Sequence, residues 1–66
     1  MEIEYEIKKL IRNRDTLINE LKLLKKKYEC GEISREEYEN KRRVIEREIV
    51  EVMDRLVQYK FISENF

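Results

Sequence analysis

The side chains that could do chemistry in this 66-residue chain are its carboxylates, its lysines and a single cysteine, Cys30. The chain contains no histidine, the most common general acid–base group and metal ligand. Cys30 therefore has no imidazole to activate it as a nucleophile, and the Glu-x-x-His ligands of di-metal helical bundles are excluded. We expect no catalytic, metal or cofactor site, and we do not expect an enzyme.

Charge and the lack of helix breakers dominate the composition. Charged residues make up 45% of the chain, with 15 basic and 15 acidic side chains, no proline and one glycine. The zero net charge weighs against nucleic acid as the main partner. The chain has no alanine and is rich in lysine and glutamate, which is typical of surface ion-pair networks and predicts a thermophilic source.

The N-terminal residues alternate acidic and apolar side chains, unlike a secretory signal. No apolar run approaches the roughly 20 residues that a membrane span needs. We therefore expect a cytoplasmic protein without a membrane partner. Cys30 is alone and cannot form an intrachain disulfide.

Apolar residues recur at alternating steps of four and three, which indicates two amphipathic helices. The first helix carries the pattern at Ile3, Ile7, Leu10, Leu17, Leu21, Leu24 and Tyr28, interrupted at Arg14. The second carries it at Tyr38, Ile45, Ile49, Val52, Leu56 and Tyr59, interrupted at Arg42. The predicted fold class is all-α, an antiparallel, coiled-coil-like two-helix hairpin over residues 1–66.

The turn is predicted from signals around the single glycine. Gly31 can end the first helix in a left-handed conformation, and Ser34 and Glu37 form an S-x-x-E capping box flanked by the apolar Ile33 and Tyr38. The predicted helices span about residues 2–30 and 35–62, with a turn at 31–34. Folding at this turn is expected to place Leu24 beside Tyr38.

A second apolar row cannot be hidden within one hairpin and gathers at the end opposite the turn. We predict that these side chains form an oligomer or partner interface: Ile3, Tyr5, Ile7, Ile11, Val50, Met53, Val57 and Phe61. Monomers seldom expose large contiguous apolar patches. A homodimer that closes into a four-helix bundle is the predicted arrangement.

Basic side chains gather in the half of the hairpin nearer the turn. The possible nucleic-acid contacts are Lys22, Lys25, Lys26, Arg42, Arg43 and Arg47. Glutamates are interleaved with them, so they also fit a solvated helix surface. A nucleic-acid-binding four-helix bundle therefore stands as an alternative, and a helical regulator that docks on a larger protein is another.

Arg14 and Arg42 occupy positions where leucine would be more stabilising. Either their guanidinium groups extend to the edge of the helix pair, or they pair with carboxylates such as Glu20 or Glu46 and fix the register.

The segment Tyr28-Glu29-Cys30-Gly31-Glu32-Ile33-Ser34-Arg35-Glu36-Glu37-Tyr38-Glu39, within residues 21–56, resembles the core of two families. One is the short C-terminal domain (SHOCT) family, and the other is the gas-vesicle protein G family of assembly accessories. The resemblance implies a small helical hairpin that acts in protein assembly. The predicted function is therefore a non-catalytic oligomerisation or adaptor module.

Overall fold

The computed structural model describes the backbone of residues 2–65 and the side chains of residues 2–62. Helix α1 spans Glu2–Glu29 and helix α2 spans Arg35–Asn65. The two helices pack along their length as an antiparallel hairpin with extents of 50 × 15 × 13 Å. The predicted all-α hairpin is confirmed. Neither helix, over the described residues, has a stretch apolar enough to cross a lipid bilayer.

Helix α2 continues to Asn65, beyond the predicted end near Ile62. The residues after Ile62 contain neither glycine nor proline. Nothing in the sequence therefore forces the helix to stop at Ile62.

The seam between the helices is formed by the predicted four-three pattern. Its side chains are buried or half-buried at Ile7, Leu10, Arg14, Leu17, Leu21 and Leu24 of α1 and at Tyr38, Arg42, Ile45, Ile49, Val52, Leu56 and Tyr59 of α2. Among residues 2–62 only Leu10, 5% exposed, and Leu24, 7% exposed, are buried. The hairpin therefore has a seam and almost no core.

The turn closes α1 with both hydrogen bonds of a Schellman motif. The Glu32 amide donates to the Lys27 carbonyl (2.9 Å), and the Gly31 amide donates to the Tyr28 carbonyl (3.0 Å). Gly31 has a φ of +79°, in the left-handed region that glycine adopts without strain. The prediction of Gly31 as the helix-ending residue is confirmed.

Helix α2 is capped by Ser34, as predicted. The Glu37 amide donates to Ser34 Oγ (3.1 Å), which satisfies one of the free amides of the first turn. The Glu37 carboxylate points forward along the helix, where it pairs with Lys41 Nζ (3.0 Å). The serine half of the capping box is thus formed, while Glu37 is used in an i,i+4 ion pair.

The two helices meet beside the turn through a pair of tyrosines. Tyr38 stacks on Tyr28, with ring centroids 4.6 Å apart and planes 9° from parallel. Tyr28 lies one helical turn after Leu24, the residue predicted to lie beside Tyr38. Further along, Leu17 and Val52 line one surface depression, and Ile7 and Leu56 line another.

Candidate protein interface

An open apolar groove of about 400 Å³ runs between the helices in the half of the hairpin away from the turn. Its lining is Ile7, Ile11, Arg14, Met53, Leu56, Val57 and Lys60. The α1 residues follow each other at steps of four and three, as do Met53, Val57 and Lys60 of α2, with Leu56 adjacent to Val57, so each set lies on one side of its helix. Arg14 and Lys60 supply cationic groups to an otherwise apolar surface.

Three more of the predicted interface residues extend this surface. Ile3 lies one turn before Ile7, Val50 lies two turns before Val57, and Phe61 lies one turn after Val57, which places each on the same side of its helix as the groove. Their side chains are exposed, as are those of Ile11, Met53 and Val57. The structure thus places four predicted interface residues in the groove, Ile7, Ile11, Met53 and Val57, and helical phase places Ile3, Val50 and Phe61 on the same side.

Tyr5 lies on a different side of the hairpin. It lines a shallow depression with Glu2, Glu6 and Tyr59. Two residues along a helix correspond to a rotation of about 200°, so Tyr5 cannot share a face with Ile3 or Ile7. The sequence prediction grouped these residues by their end of the hairpin, whereas the helical phase separates Tyr5 from them.

The sequence prediction also missed members of the groove. Leu56 was assigned to the seam alone, but it lies at the seam's edge and lines the groove too. Arg14 interrupts the predicted seam, and Lys60 belongs to none of the predicted sets. The spacing of Lys60, three residues beyond Val57, is the signal that could have identified it.

The two arginines of the seam are held in different ways. Arg14 reaches the exposed neighbouring residue Asp15, with Nη2 3.3 Å from its carboxylate, as expected for a side chain that extends to the edge. Arg42 has its guanidinium 5.7 Å from the centre of the Tyr38 ring. Its Nε lies 3.3 Å from the Glu46 carboxylate.

The contact of Arg42 with Glu46 is an ion pair without a directed hydrogen bond. Arg42 Nε is buried and has no hydrogen-bond partner among the described residues, because the N–H is not aligned with the carboxylate. The cation is therefore stabilised by the charge of Glu46 and by the face of Tyr38. Of the two carboxylates that the sequence analysis names as partners for the seam arginines, Glu46 forms the ion pair with Arg42.

The predicted basic residues fall into two groups. Arg42 is engaged as described, whereas none of the ion pairs among residues 2–62 includes Lys22, Lys25, Lys26, Arg43 or Arg47. Lys22 and Lys25 continue the α1 row of the groove towards the turn, since they follow Ile11 and Arg14 by eleven residues, about three helical turns. Arg43 continues the α2 row, seven residues before Val50.

Two glutamates near this basic region are paired, whereas Glu29, four residues after Lys25, is in none of the ion pairs among residues 2–62. Glu39 accepts a hydrogen bond from Arg35 Nε (3.1 Å), and this bond, together with the carboxylate charge, raises the pKa of the Arg35 guanidinium. Glu46 is paired with Arg42. The side of the hairpin that carries the groove therefore changes from apolar near the termini to charged near the turn, where Lys22 and Lys25 share the α1 row with Glu29.

Over the described residues, the chain is an all-α helical hairpin with an exposed apolar groove. Residues 19–46 match the family model for SHOCT, the short C-terminal domain. This match covers the second part of α1, the turn and the first part of α2, and it confirms the resemblance to that family. No curated protein and no solved structure gave a match.

Proposed function

We propose that this hairpin is a non-catalytic assembly module that pairs with a second copy of itself through the groove. The two copies form a four-helix bundle, and the paired hairpins act as an oligomerisation or adaptor unit. The observation that carries this proposal is the row of exposed apolar side chains along the groove, continuous with the seam of each hairpin. Large contiguous apolar surfaces of this kind mark interaction sites.

The surface area of the hairpin supports a partner of about its own size. The accessible surface is 5797 Å² for a chain of 8.3 kDa. A compact monomer of that mass is expected to expose about 4,600 Å². The excess of roughly 1,200 Å² exceeds the ~800 Å² that each partner buries in a standard interface. One further hairpin would therefore bring the chain to an ordinary degree of burial.

The scarcity of buried side chains supports the same conclusion. Leu10 and Leu24 are the buried residues of the described region, and chains below about 70 residues rarely gain more than about 3–5 kcal/mol from a single core. Covering the groove with a second hairpin would bury Met53 and Val57 and complete the burial of Ile7. Self-association thus supplies the core that one hairpin lacks.

A charge in the groove tests this proposal. We expect Val57→Glu to convert a dimer into a monomer, because the carboxylate would be buried between two apolar surfaces. Val44→Glu is the matched control, since Val44 is on the same helix and is 54% exposed compared with 65% for Val57, but it does not line the groove. Light scattering of both variants and of the parent measures the mass.

The proposal requires a dimeric parent, a dimeric Val44→Glu and a monomeric Val57→Glu. Circular dichroism of each variant shows whether the helices persist. A parent that stays monomeric across the concentration series, or a Val57→Glu variant that stays dimeric, contradicts the proposal.

Lys22, Lys25 and Arg43 take part in none of the ion pairs among residues 2–62, which favours nucleic-acid binding as a second candidate function. Phosphate contacts of this kind make affinity fall steeply with salt. The test is a mobility shift with double-stranded RNA and DNA at two salt concentrations, with Lys22→Gln/Lys25→Gln as the variant. A shift at low salt that the variant weakens supports this function, and no shift at low salt eliminates it.

A further inference from the structure

The apolar groove occupies one half of the hairpin's length. Its centre lies near Ile11 and Val57, about 19 residues from Cys30 along α1. At 1.5 Å per residue the groove centre is therefore about 28 Å from the turn. A second hairpin seated on the groove must be centred there, and two orientations bring identical grooves together about a twofold axis.

The two orientations differ in what faces the cationic half. When both turns lie at the same end, Lys22, Lys25 and Arg43 of one hairpin face the same residues of the other. Glu29 lies four residues after Lys25 on the same row of α1 and takes part in none of the ion pairs among residues 2–62. A twofold axis would bring these charged rows against their own copies and remove their side chains from water, a desolvation cost that the opposite orientation avoids.

When the turns point in opposite directions, the grooves still meet but the cationic halves do not. An axis through Ile11 and Val57 overlaps the hairpins from residue 2 to about residue 20 of α1, a length of roughly 27 Å. Beyond this overlap each turn extends away from the other chain. The apolar surface is covered, and the cations stay in solvent.

We propose, on the basis of the self-association argued above, that the partner hairpin docks antiparallel to the first over the terminal halves alone. The dimer is then an elongated bundle of four helices at its centre and two helices at each end. Each end carries one turn with its Tyr28–Tyr38 stack and one set of the cations Lys22, Lys25 and Arg43. These two ends are identical and face opposite directions.

The single cysteine makes this geometry measurable without changing the sequence. Cys30 is exposed and lies at the tip of the turn. In the antiparallel dimer the two Cys30 residues are separated by twice the distance from groove centre to turn, about 55 to 60 Å. In the parallel arrangement they lie within about 25 Å, because packed helices are about 8–10 Å apart.

The experiment is pulsed electron–electron double resonance on the full chain with a nitroxide attached to Cys30, together with the solution mass of the same sample. The antiparallel proposal requires a dimeric mass and a distance near 55 to 60 Å. The labelled Val57→Glu variant is the control, and as a monomer it should lose the dipolar signal.

Two other outcomes separate the proposals. A dimeric mass with a distance below about 25 Å overturns the antiparallel arrangement and leaves the self-association proposal standing. A monomeric mass of the parent overturns both. Air oxidation gives an independent measurement: an antiparallel dimer forms no disulfide through Cys30 within the dimer, whereas rapid cross-linking that does not depend on protein concentration requires the parallel form.

Discussion

At the scale of single residues, the turn depends on one backbone conformation. Gly31 has a φ of +79°, and a Cβ built at this position meets nothing within 4 Å. A substitution there is penalised through the backbone and not through a clash. This separation makes Gly31 a clear test of how much the turn contributes to stability.

We expect Gly31→Ala to lower the free energy of unfolding by about 1–2 kcal/mol, because alanine is strained in the left-handed region. Gly31→Asn is the matched control. It should lower the free energy of unfolding by less, because asparagine tolerates the left-handed conformation better than alanine does. Urea unfolding followed by circular dichroism at fixed protein concentration measures both. Equal losses for the two variants would show that the penalty does not come from φ.

Arg14 and Arg42 give a second comparison between residues. Arg14→Leu should raise the free energy of unfolding by about 1 kcal/mol, since it replaces a cation paired only with exposed Asp15 by an apolar side chain beside the groove. Arg42→Leu should raise the free energy of unfolding by less, because it also removes the contact of the guanidinium with the Tyr38 ring. Urea unfolding and light scattering on both variants test this. A loss of stability for Arg14→Leu, or a changed oligomer state, would point to a role in register.

At the scale of the helices, stability depends on a few seam positions. Leu10→Ala should lower the free energy of unfolding by about 2–4 kcal/mol, the usual range for a buried leucine. This loss is comparable to the whole free energy of unfolding of a chain this small. Leu23→Ala is the control, because Leu23 is on the same helix but 58% exposed. It should change the stability by less than about 0.5 kcal/mol. Thermal melts that show similar losses for both would contradict the seam described here.

The helices and the turn could be predicted from the sequence because each rests on local chemistry. The four-three spacing marks the seam, and Gly31 and Ser34 mark the turn through their own backbone and side-chain hydrogen bonds. The stack of Tyr38 on Tyr28 could not be predicted in the same way. It depends on how tightly the turn closes, which the heptad spacing does not determine.

Residue type predicts part of the groove lining, but it does not predict which side of each helix the groove lies on. Apolar residue types identified Ile7, Met53 and Val57, but residue type alone also drew in Tyr5, which has the wrong helical phase. Lys60 was missed because a charged residue is usually assigned to solvent, although its aliphatic stem can line an apolar surface. The angular position of a residue around the helix axis decides whether it lines the groove, and residue type alone does not give that position.

At the scale of the whole molecule, folding and association are expected to be linked. If the groove is covered by a second copy, the melting temperature should rise by roughly 3 to 6 °C for each tenfold increase in protein concentration. Val57→Glu should melt lower and independently of concentration. Calorimetry or circular dichroism over a hundredfold concentration range measures this. A melting temperature of the parent that does not change would contradict a dimer.

The short turn also has a consequence for how the chain folds. The Tyr28–Tyr38 stack closes a loop of only about ten residues, whereas Ile7 and Lys60 of the groove are separated by about fifty. Closing a long loop directly costs more entropy than extending a hairpin that has already begun. The helices are therefore expected to pair first beside Gly31 and then progressively towards the termini. The apolar groove, which would bind the second chain, is then the last part of the hairpin to form.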